Sequence, residues 1–195
     1  MKKTVLLPLF LTVVFINGCG GNTTPATEAA TTVAIETTTE AETLSEKDLH
    51  SELSKVYDKI CSTYESCDTM ASNVIYAWGG HKEFVSWIFD TKEYKRVKDN
   101  YGVEADLAKV IEESQKIITR MPSELIVLKD ELKEYNDYSD DSYYKALKDL
   151  YLSVQSYSEF AVAVPSNYSQ VTYTEAINEH RDEFTDLKNK AEFEK

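Results

Sequence analysis

The sequence is poor in the residues that the common catalytic motifs require. It contains only six glycines, and no glycine-rich phosphate-binding loop of the nucleotide or dinucleotide type is present. It also lacks the G-x-S-x-G sequence that positions a nucleophilic serine in many hydrolases. These absences disfavour nucleotide chemistry and serine hydrolysis. We therefore expect no catalytic residue and no cofactor.

Histidine is scarce as well, since His50, His81 and His180 are the three in the chain. No two of them have a metal-binding spacing, although Glu46 and His50 lie four residues apart and would share a helical face. Two ligands without a third make an incomplete zinc site. We predict that no metal is bound, that His50 and His81 are surface or loop residues, and that His180 is partly buried and bonded to a neighbour.

Positive charge is also under-represented. The chain has 21 lysines and arginines against 34 acidic residues, which gives a net charge of −13. Such a surface repels phosphate backbones and anionic lipid headgroups. The composition therefore disfavours nucleic acid as a partner, and it disfavours direct contact of the folded domain with a membrane.

One long apolar run, Val5 to Ile16, follows Lys2 and Lys3 near the start of the chain. About 12 apolar residues are too few for the helix of about 20 residues that crosses a bilayer, so the run is typical of a secretion signal. No later stretch approaches that length. Residues 45–195 are numerous enough to build a single hydrophobic core, and we predict one folded domain there.

The apolar run ends in Ile16-Asn17-Gly18-Cys19. A small residue directly before this cysteine resembles the lipobox of bacterial lipoproteins, although Asn17 replaces the small or β-branched residue usual at that place. In that family the cysteine thiol receives a diacylglyceryl group and the chain is cut before it. The resemblance implies that residues 1–18 are removed, that Cys19 is the lipidated N-terminus, and that the mature net charge is −15, because two lysines leave with the signal. A plain signal peptide or a short anchor is the alternative.

Residues 20–44 contain nine threonines, five alanines and four glutamates, with no lysine, arginine or aromatic residue. Such a segment buries too little apolar surface to offset the entropy of ordering, so residues 19–44 are predicted to be a lipidated cysteine and a disordered linker. A threonine-rich tether behind a lipidated cysteine resembles the spacers of Gram-positive surface lipoproteins. The resemblance implies anchoring at the extracytoplasmic face of the cell membrane.

Apolar residues in 45–195 recur alternately at steps of four and three, which is heptad spacing. We call each such row of residues a seam, because it would lie on one face of a helix. The first seam predicts one long helix that starts at an N-cap, Ser45, and stops at Gly79-Gly80. Its members are Leu49, Leu53, Val56, Ile60, Thr63, Cys67, Met70, Val74 and Ala77. Residues 82–98 are apolar on more than one face and predict a shorter helix, either separate from the first or continuous with it.

Three further seams follow. Val103 to Met121 predicts a helix that Pro122 breaks or bends before a new helix starts at Ser123. After an acidic loop at 136–142, one seam runs from Tyr143 to Val164 and stops at Pro165, and the last runs from Tyr173 to Ala191. The loop acids Asp137, Asp140 and Asp141 lack the glycine and closing glutamate of a calcium loop, so we predict a solvated loop.

The predicted fold is all-α, an antiparallel bundle of about four to six helices behind the threonine-rich tether. The order of anchor, tether, long first helix and proline-terminated late helix resembles small helical lipoproteins of Gram-positive bacteria. That resemblance implies location and fold, but it brings no activity.

Eight of the thirteen tyrosines fall within residues 135–173. Tyr144 and Tyr151 lie one heptad apart beside their seam, and Tyr168 follows that helix. Tyrosine buries a large area at little entropic cost and keeps a polar tip, so it suits an interface. It suits the rim of a small core equally well. Tyr144, Tyr151 and Tyr168 are therefore candidates for either role.

Cys61 and Cys67 are predicted to remain free thiols. Six residues along one helix separate two Cα atoms by about 10 Å, which exceeds the limit of about 7 Å for a disulfide. Cys67 lies on the first seam and should be buried, whereas Cys61 lies beside it and should be half-buried.

Absence of catalytic motifs together with the anchor favours a surface lipoprotein whose helical module binds another protein of the envelope or exterior. A prophage-type superinfection-exclusion lipoprotein or a bacteriocin-immunity lipoprotein is the alternative hypothesis, and a cell-envelope enzyme is a third. The expected partners are the membrane, through the lipid on Cys19, and a protein.

Overall fold

The computed structural model describes residues 44–80, 82–162 and 168–195. The predicted signal, the lipidation site Cys19, the linker up to residue 43, His81 and the stop at Pro165 all lie outside these residues. Over the described part the chain forms α-helices and one short 3-10 turn, without a strand, so the all-α prediction is confirmed. The helices are α1 (Glu46–Gly80), α2 (Lys82–Phe89), α3 (Thr91–Tyr101), α4 (Ala105–Lys133), α5 (Ser142–Val162) and α6 (Gln170–Glu194), and the turn is Asn136–Tyr138.

The long first helix begins where the sequence predicts it. The main-chain N–H of Asp48 donates to Ser45 Oγ at 3.3 Å, and the Ser45 hydroxyl donates to Asp48 Oδ2 at 2.6 Å. These contacts satisfy one of the free amides of the first turn. All nine residues of the predicted seam are buried, with none more than 6% exposed. The seam is therefore confirmed, and α1 supplies one side of the core along its whole length.

Helices α1 and α5 lie at the centre of the bundle, with α4 packed on one flank and α6 on the other. Lys59 of α1 pairs with Glu131 of α4, and Asn73 of α1 donates to Ser114 Oγ at 3.0 Å. Residue numbers rise on one helix as they fall on the other. The pair α1 and α4 is consequently antiparallel, as the predicted bundle requires.

Helices α1 and α5 run in the same direction. Their rings meet near one end, where the His50 and Tyr143 centroids are 5.2 Å apart, and farther along the Tyr157 hydroxyl donates to Asp68 Oδ1 at 2.8 Å. Helix α4 lies between them in sequence and returns the chain to its starting end. Helix α6 then runs back along both, because Arg181 reaches Asp68 while Glu192, farther along α6, accepts from the Tyr57 hydroxyl at 2.6 Å, nearer the start of α1.

The single helix predicted at 82–98 is two helices, α2 and α3, and this correction has a local cause. The Asp90 side chain accepts hydrogen bonds from the main-chain N–H groups of Lys92 at 3.1 Å and Glu93 at 2.9 Å. Asp90 thereby caps a new helix and ends the preceding one. Gly102, at φ 74°, closes α3, and its N–H donates to the Lys98 carbonyl at 3.1 Å.

The prediction that Pro122 separates two helices is wrong, because α4 continues through it. Proline has no N–H and disfavours a helix interior by about 3 kcal/mol relative to alanine. The buried seam nevertheless keeps its phase across this position, with Met121 and Leu128 both at most 2% exposed. Packing of that seam on α1 maintains the helix despite the missing hydrogen bond.

The last two seams are confirmed where the structure describes them. On α5 the buried residues are Tyr143, Leu147, Leu150, Val154, Tyr157 and Ala161, and on α6 they are Tyr173, Ile177, Phe184 and Ala191. Leu187 is partly buried against this core. Among the helices that the structure describes, none combines the length and the apolar character needed to span a bilayer.

Candidate protein-binding groove

A groove separates α4 from α5, because each packs closely on α1 but they touch one another little. It consists of two depressions of about 580 Å³ and 190 Å³. Lys129 and Tyr151 line both depressions, so the two are continuous. The gap between these helices is thus one extended surface feature.

Apolar side chains stand exposed on both edges of this groove. Ile126 on the α4 edge is 61% exposed, and Leu152 on the α5 edge is 56% exposed. Leu125, Pro122 and Val162 add further apolar surface in the larger depression. Ile126 lines the larger depression and Leu152 lines the smaller one, so each depression has one exposed aliphatic side chain on its rim. Single exposed apolar residues are ordinary, whereas apolar surface gathered along a groove favours coverage by another molecule.

The tyrosines Tyr144 and Tyr151 form the floor of the groove. They are 1% and 6% exposed, so their burial favours the core-rim interpretation over an exposed interaction surface. The Tyr144 hydroxyl donates to Asn136 Oδ1 at 2.7 Å, and the Tyr151 hydroxyl donates to the Leu125 carbonyl at 3.3 Å. Both rings are fixed by these bonds. They give the groove a rigid base rather than free contact residues.

Tyr168 lies away from the groove, next to the start of α6. It is half-buried, and its ring meets that of Phe160 edge to face at 5.7 Å and that of Tyr173 at 6.4 Å. The three tyrosines that the sequence singled out therefore do not share one surface.

Lysines concentrate at the end of the groove nearest the connection between α4 and α5. Lys129, Lys133 and Lys148 line the smaller depression, which has no acidic lining residue, and Glu159 lies at the opposite end. Lys148 Nζ is 5.7 Å from the centre of the Tyr144 ring. In a chain of net charge −13, three lysines beside one depression are a local reversal of sign.

A larger cavity, about 810 Å³, lies between α1 and the first half of α4. Most of its lining residues are polar or charged, and some of their side chains pair across it. Arg120 Nη2 donates to Ser66 Oγ at 2.8 Å, and Lys98 pairs with Glu112. Because these groups already satisfy one another, the cavity offers a ligand less than the α4–α5 groove does.

A second polar cluster closes the end of the bundle where α1 begins. His50 Nε2 lies 3.0 Å from Asp141 Oδ2, and His50 Nδ1 lies 3.1 Å from the main-chain oxygen of Lys195. Both partners are acceptors, so only the imidazolium form, with two N–H groups, satisfies both. The hydrogen bond to Asp141 raises the pKa of His50 against the opposing effect of burial.

The predictions for these residues are corrected in part. His50 is not a surface residue, because its side chain is only 18% exposed and its ring stacks edge-on against Tyr143. Asp141 is no freely solvated acid either: it also accepts the Tyr144 N–H at 2.8 Å, at the start of α5. Asp137 and Asp140 are exposed, as predicted. Among the described residues no group of three or more histidine, cysteine or acidic side chains is placed to hold a metal.

The His50 cluster should make stability depend on pH. The pKa of His50 is raised in the folded state, so protonated His50 stabilises the fold. This stabilisation is complete below the unfolded-state pKa of about 6.5 and is lost as the pH rises through the folded-state pKa. Burial raises the pKa of Asp141, but the hydrogen bonds from His50 and Tyr144 outweigh it and lower the pKa, so that contribution is lost in acid. Urea unfolding of wild type and His50→Gln should therefore differ more at about pH 5.5 than at about pH 8.

The matched control for this measurement is His180→Gln. Burial lowers the pKa of His180, so its contribution to stability should change with pH in the opposite direction. A His50→Gln difference that stays constant or grows between the two pH values would contradict the proposed imidazolium.

His180 is partly buried, with 19% of its side chain exposed, as the sequence predicts. The predicted bond to a neighbour is not made at Nδ1, which has no hydrogen-bond partner among the described residues and lies 4.0 Å from Glu183 Oε2. The ring instead stacks on Tyr157 at 5.0 Å. Aromatic contact therefore positions this histidine.

A partly buried network ties α1, α5 and α6 together beside His180. Asp68 Oδ1 accepts from Arg181 Nε at 2.6 Å and from the Tyr157 hydroxyl at 2.8 Å, and Asp68 Oδ2 accepts from Arg181 Nη2 at 3.1 Å. Arg181 Nη2 also donates to Ser72 Oγ at 3.0 Å. Burial and the hydrogen bond to Asp68 raise the pKa of Tyr157. One carboxylate thus connects three helices.

The two described cysteines lie on the continuous helix α1. Cys67 is fully buried, and its thiol contacts Met121 Sδ at 3.5 Å. Burial raises the pKa of this thiol to about 12. Cys61 is half-buried, and burial raises its pKa as well. The predicted burial of both residues is confirmed, and a raised pKa makes both poor nucleophiles.

Sequence reasoning missed the residues that give the groove its character. Ile126 and Leu152 are apolar but lie outside the seams of their helices, and that mismatch is the signal that could have identified them. The pairing of His50 with Asp141 left no such signal, because the partners are 91 residues apart.

The fold and the groove together define an all-α bundle with an apolar, lysine-flanked cleft between two of its helices. Comparison of the chain with protein-family models, with curated proteins and with solved structures finds no match.

Proposed function

We propose that this chain is a lipid-anchored lipoprotein at the extracytoplasmic face of a Gram-positive-type cell membrane and that its helical domain is a protein-binding module. The anchor is supported by the sequence Ile16-Asn17-Gly18-Cys19 at the end of a short apolar segment. A lipid on Cys19 makes the membrane one partner. A protein of the envelope or of the exterior is the other.

The observation that carries the binding function is the groove between α4 and α5. Its edges expose Ile126 and Leu152, and its floor is held rigid by Tyr144 and Tyr151. Covering apolar surface contributes roughly 25 cal/mol per Å² removed from water, against which the entropic cost of association must be set. A rigid floor also reduces the entropy lost on binding. Catalysis is not part of the proposal.

Replacing Cys19 with serine tests the anchor. Cys19→Ser should abolish labelling by a palmitate analogue and shift the protein from the membrane fraction to the medium, because serine offers no thiol for lipid attachment. Two acyl chains hold a protein on a membrane stably, so the shift should be nearly complete. Cys61→Ser is the matched control and should keep both the label and the membrane location. Equal labelling of wild type and Cys19→Ser would overturn the anchor.

A photo-reactive residue at Gln155, on the groove's α5 edge, tests the binding function in intact cells. We expect it to cross-link to a protein in the wild-type background and not when Ile126→Glu and Leu152→Glu are present. The same photo-reactive residue at Val171, which is 66% exposed on α6, controls for random encounter. The identity of the captured protein separates an envelope partner from the phage or bacteriocin targets of exclusion and immunity lipoproteins. Capture of no protein, or equal capture by both positions, would overturn the binding module.

A further inference from the structure

We propose that the α4–α5 groove binds an amphipathic helix of about four turns, with an apolar stripe and with acidic side chains flanking the half that lies nearest the α4–α5 connection. This inference rests on the proposed protein-binding function and names the chemistry of the partner. Its grounds are the length of the groove, the spacing of its edges and its charge.

The length of the groove suits a helix of that size. On α4 the lining extends from Met121 to Lys133, and on α5 it extends from Tyr144 to Val162. At 1.5 Å per residue these stretches are about 18 Å and 27 Å long. A helix of four turns is about 22 Å long, so it fills the groove without projecting far beyond it.

The side chains that line the groove recur at a spacing against which another helix can pack. Both edges step by four, three and four residues, and the floor repeats every seven. The edges are Pro122, Ile126, Lys129 and Lys133 on α4 and Lys148, Leu152, Gln155 and Glu159 on α5, and the floor is Tyr144, Tyr151 and Ser158. Ridges at this spacing interdigitate with the side chains of another helix. A peptide that binds by strand addition would need a free strand edge, and the described residues contain no strand.

Charge selects among amphipathic helices. Lys129, Lys133 and Lys148 border the half of the groove near the connection, and all three are exposed. Lys133 Nζ already pairs with Asp130 Oδ1 at 2.8 Å, so Lys129 and Lys148 carry the charge available to a partner. Acidic residues on the partner would pair with them at the rim, which favours the correct partner and register more than it adds affinity. The other half carries Gln155 and Glu159, so acidic residues there would be repelled.

Two other occupants fit less well. A second copy would bring two mature chains of net charge −15 together, and long-range repulsion opposes that. The preceding linker is acidic, but its large apolar residues Val33 and Ile35 are two positions apart and would project about 200° apart on a helix. They cannot both enter the groove from one helical face.

The test measures binding of designed peptides to the full chain in detergent micelles by fluorescence anisotropy. The probe is a 16-residue peptide with leucines at heptad positions and glutamates flanking one half. Its matched control carries lysines in place of those glutamates, and a second control has the same composition without the heptad spacing. At about 0.1 M salt we expect the acidic peptide to bind at least tenfold more tightly than the lysine peptide, and the unpatterned peptide not to bind.

Variants of the chain locate the binding. The double variant Lys129→Glu with Lys148→Glu should reverse the preference between acidic and basic peptides, and Leu152→Asp should abolish binding of both. These side chains are exposed, so the variants should keep the wild-type melting temperature. Equal affinity for the acidic and lysine peptides, or an acidic preference that survives the double lysine variant, would overturn the proposal.

The competing occupants have their own outcomes, and either one would overturn the proposal. A concentration-dependent dimer that Leu152→Asp dissolves would assign the groove to a second copy. A tenfold gain in peptide affinity on replacing Val33 and Ile35 with aspartate would assign the groove to the linker.

If cross-linking from position 155 captures a protein while the peptides show no charge preference, this inference fails and the proposed function stands. If the peptides show the expected preference but no protein is captured in cells, the proposed function fails and the groove's selectivity stands.

Discussion

Replacing Asp68 with alanine is expected to lower the free energy of unfolding by about 2–4 kcal/mol. The change removes the acceptor of two arginine N–H groups and of the Tyr157 hydroxyl at once. Tyr157 is only 1% exposed, so its hydroxyl is left without a partner away from water. Arg181 keeps about a third of its side chain in solvent and still reaches Ser72. Loss of its bonds to Asp68 is therefore the smaller part of the destabilisation.

Urea denaturation of the purified protein, followed by circular dichroism, measures this effect. Asp68→Asn should cost clearly less, because an amide oxygen can still accept from Tyr157 while the charge is lost. A double-mutant cycle with Tyr157→Phe isolates the bond between the two residues, since the double variant leaves no tyrosine hydroxyl without a partner and the loss at Arg181 is common to both Asp68 variants. A loss below about 0.5 kcal/mol for Asp68→Ala would mean that the network contributes no more than an ordinary surface ion pair.

Replacing Leu147 with alanine is expected to lower the free energy of unfolding by about 2–5 kcal/mol. Leu147 is fully buried where α5 packs in the centre of the bundle. Removing three carbon atoms there leaves a cavity that the surrounding helices can close only in part, so the packing loss adds to the transfer loss.

The matched control is Leu152→Ala, five residues farther along the same helix. Leu152 is 56% exposed on the edge of the groove, so the same substitution should change stability by less than about 0.5 kcal/mol. Comparison of the two variants distinguishes the core face of α5 from its exposed groove edge. If Leu152→Ala were as destabilising as Leu147→Ala, the α5 edge would be part of the core and the groove would not be a free surface.

The long helices could be predicted from the sequence because one physical rule governs them. A residue at heptad spacing is buried on one face, and α1 obeys this at all nine seam positions. The same rule also indicates that the helix continues through Pro122. The seam steps from Met121 to Leu125 and Leu128 without a change of phase, which indicates one continuous helix. The local preference of proline obscured that signal.

The break between α2 and α3 was also readable in retrospect. Asp90 followed three residues later by Glu93 has the form of a helix N-terminus, with a capping side chain before an acidic third position. The apolar residues of 82–89 by themselves indicate only a helix and not where that helix ends. Short helices contain too few turns for a seam to fix their boundaries, so caps decide them.

The groove and the polar cluster at the end of the bundle depend on tertiary placement. Exposed Ile126 and Leu152 become one feature only because α4 and α5 lie side by side and antiparallel. His50 gains its partners from the start of α5 and the end of the chain. Periodicity describes one helix at a time, and it does not say which helix faces will be adjacent.

The position of Leu44 has a mechanical consequence for a domain held as we propose. Its main-chain N–H donates to the Tyr138 hydroxyl at 2.7 Å, in the connection between α4 and α5. A pull between the membrane and a partner seated in the groove would be applied at Leu44 and at α4 and α5, whose connection Leu44 contacts. Forced unfolding is governed by the unfolding rate, so the hold on a partner under tension would depend on how slowly α1, α4 and α5 separate and not on the equilibrium stability of the domain.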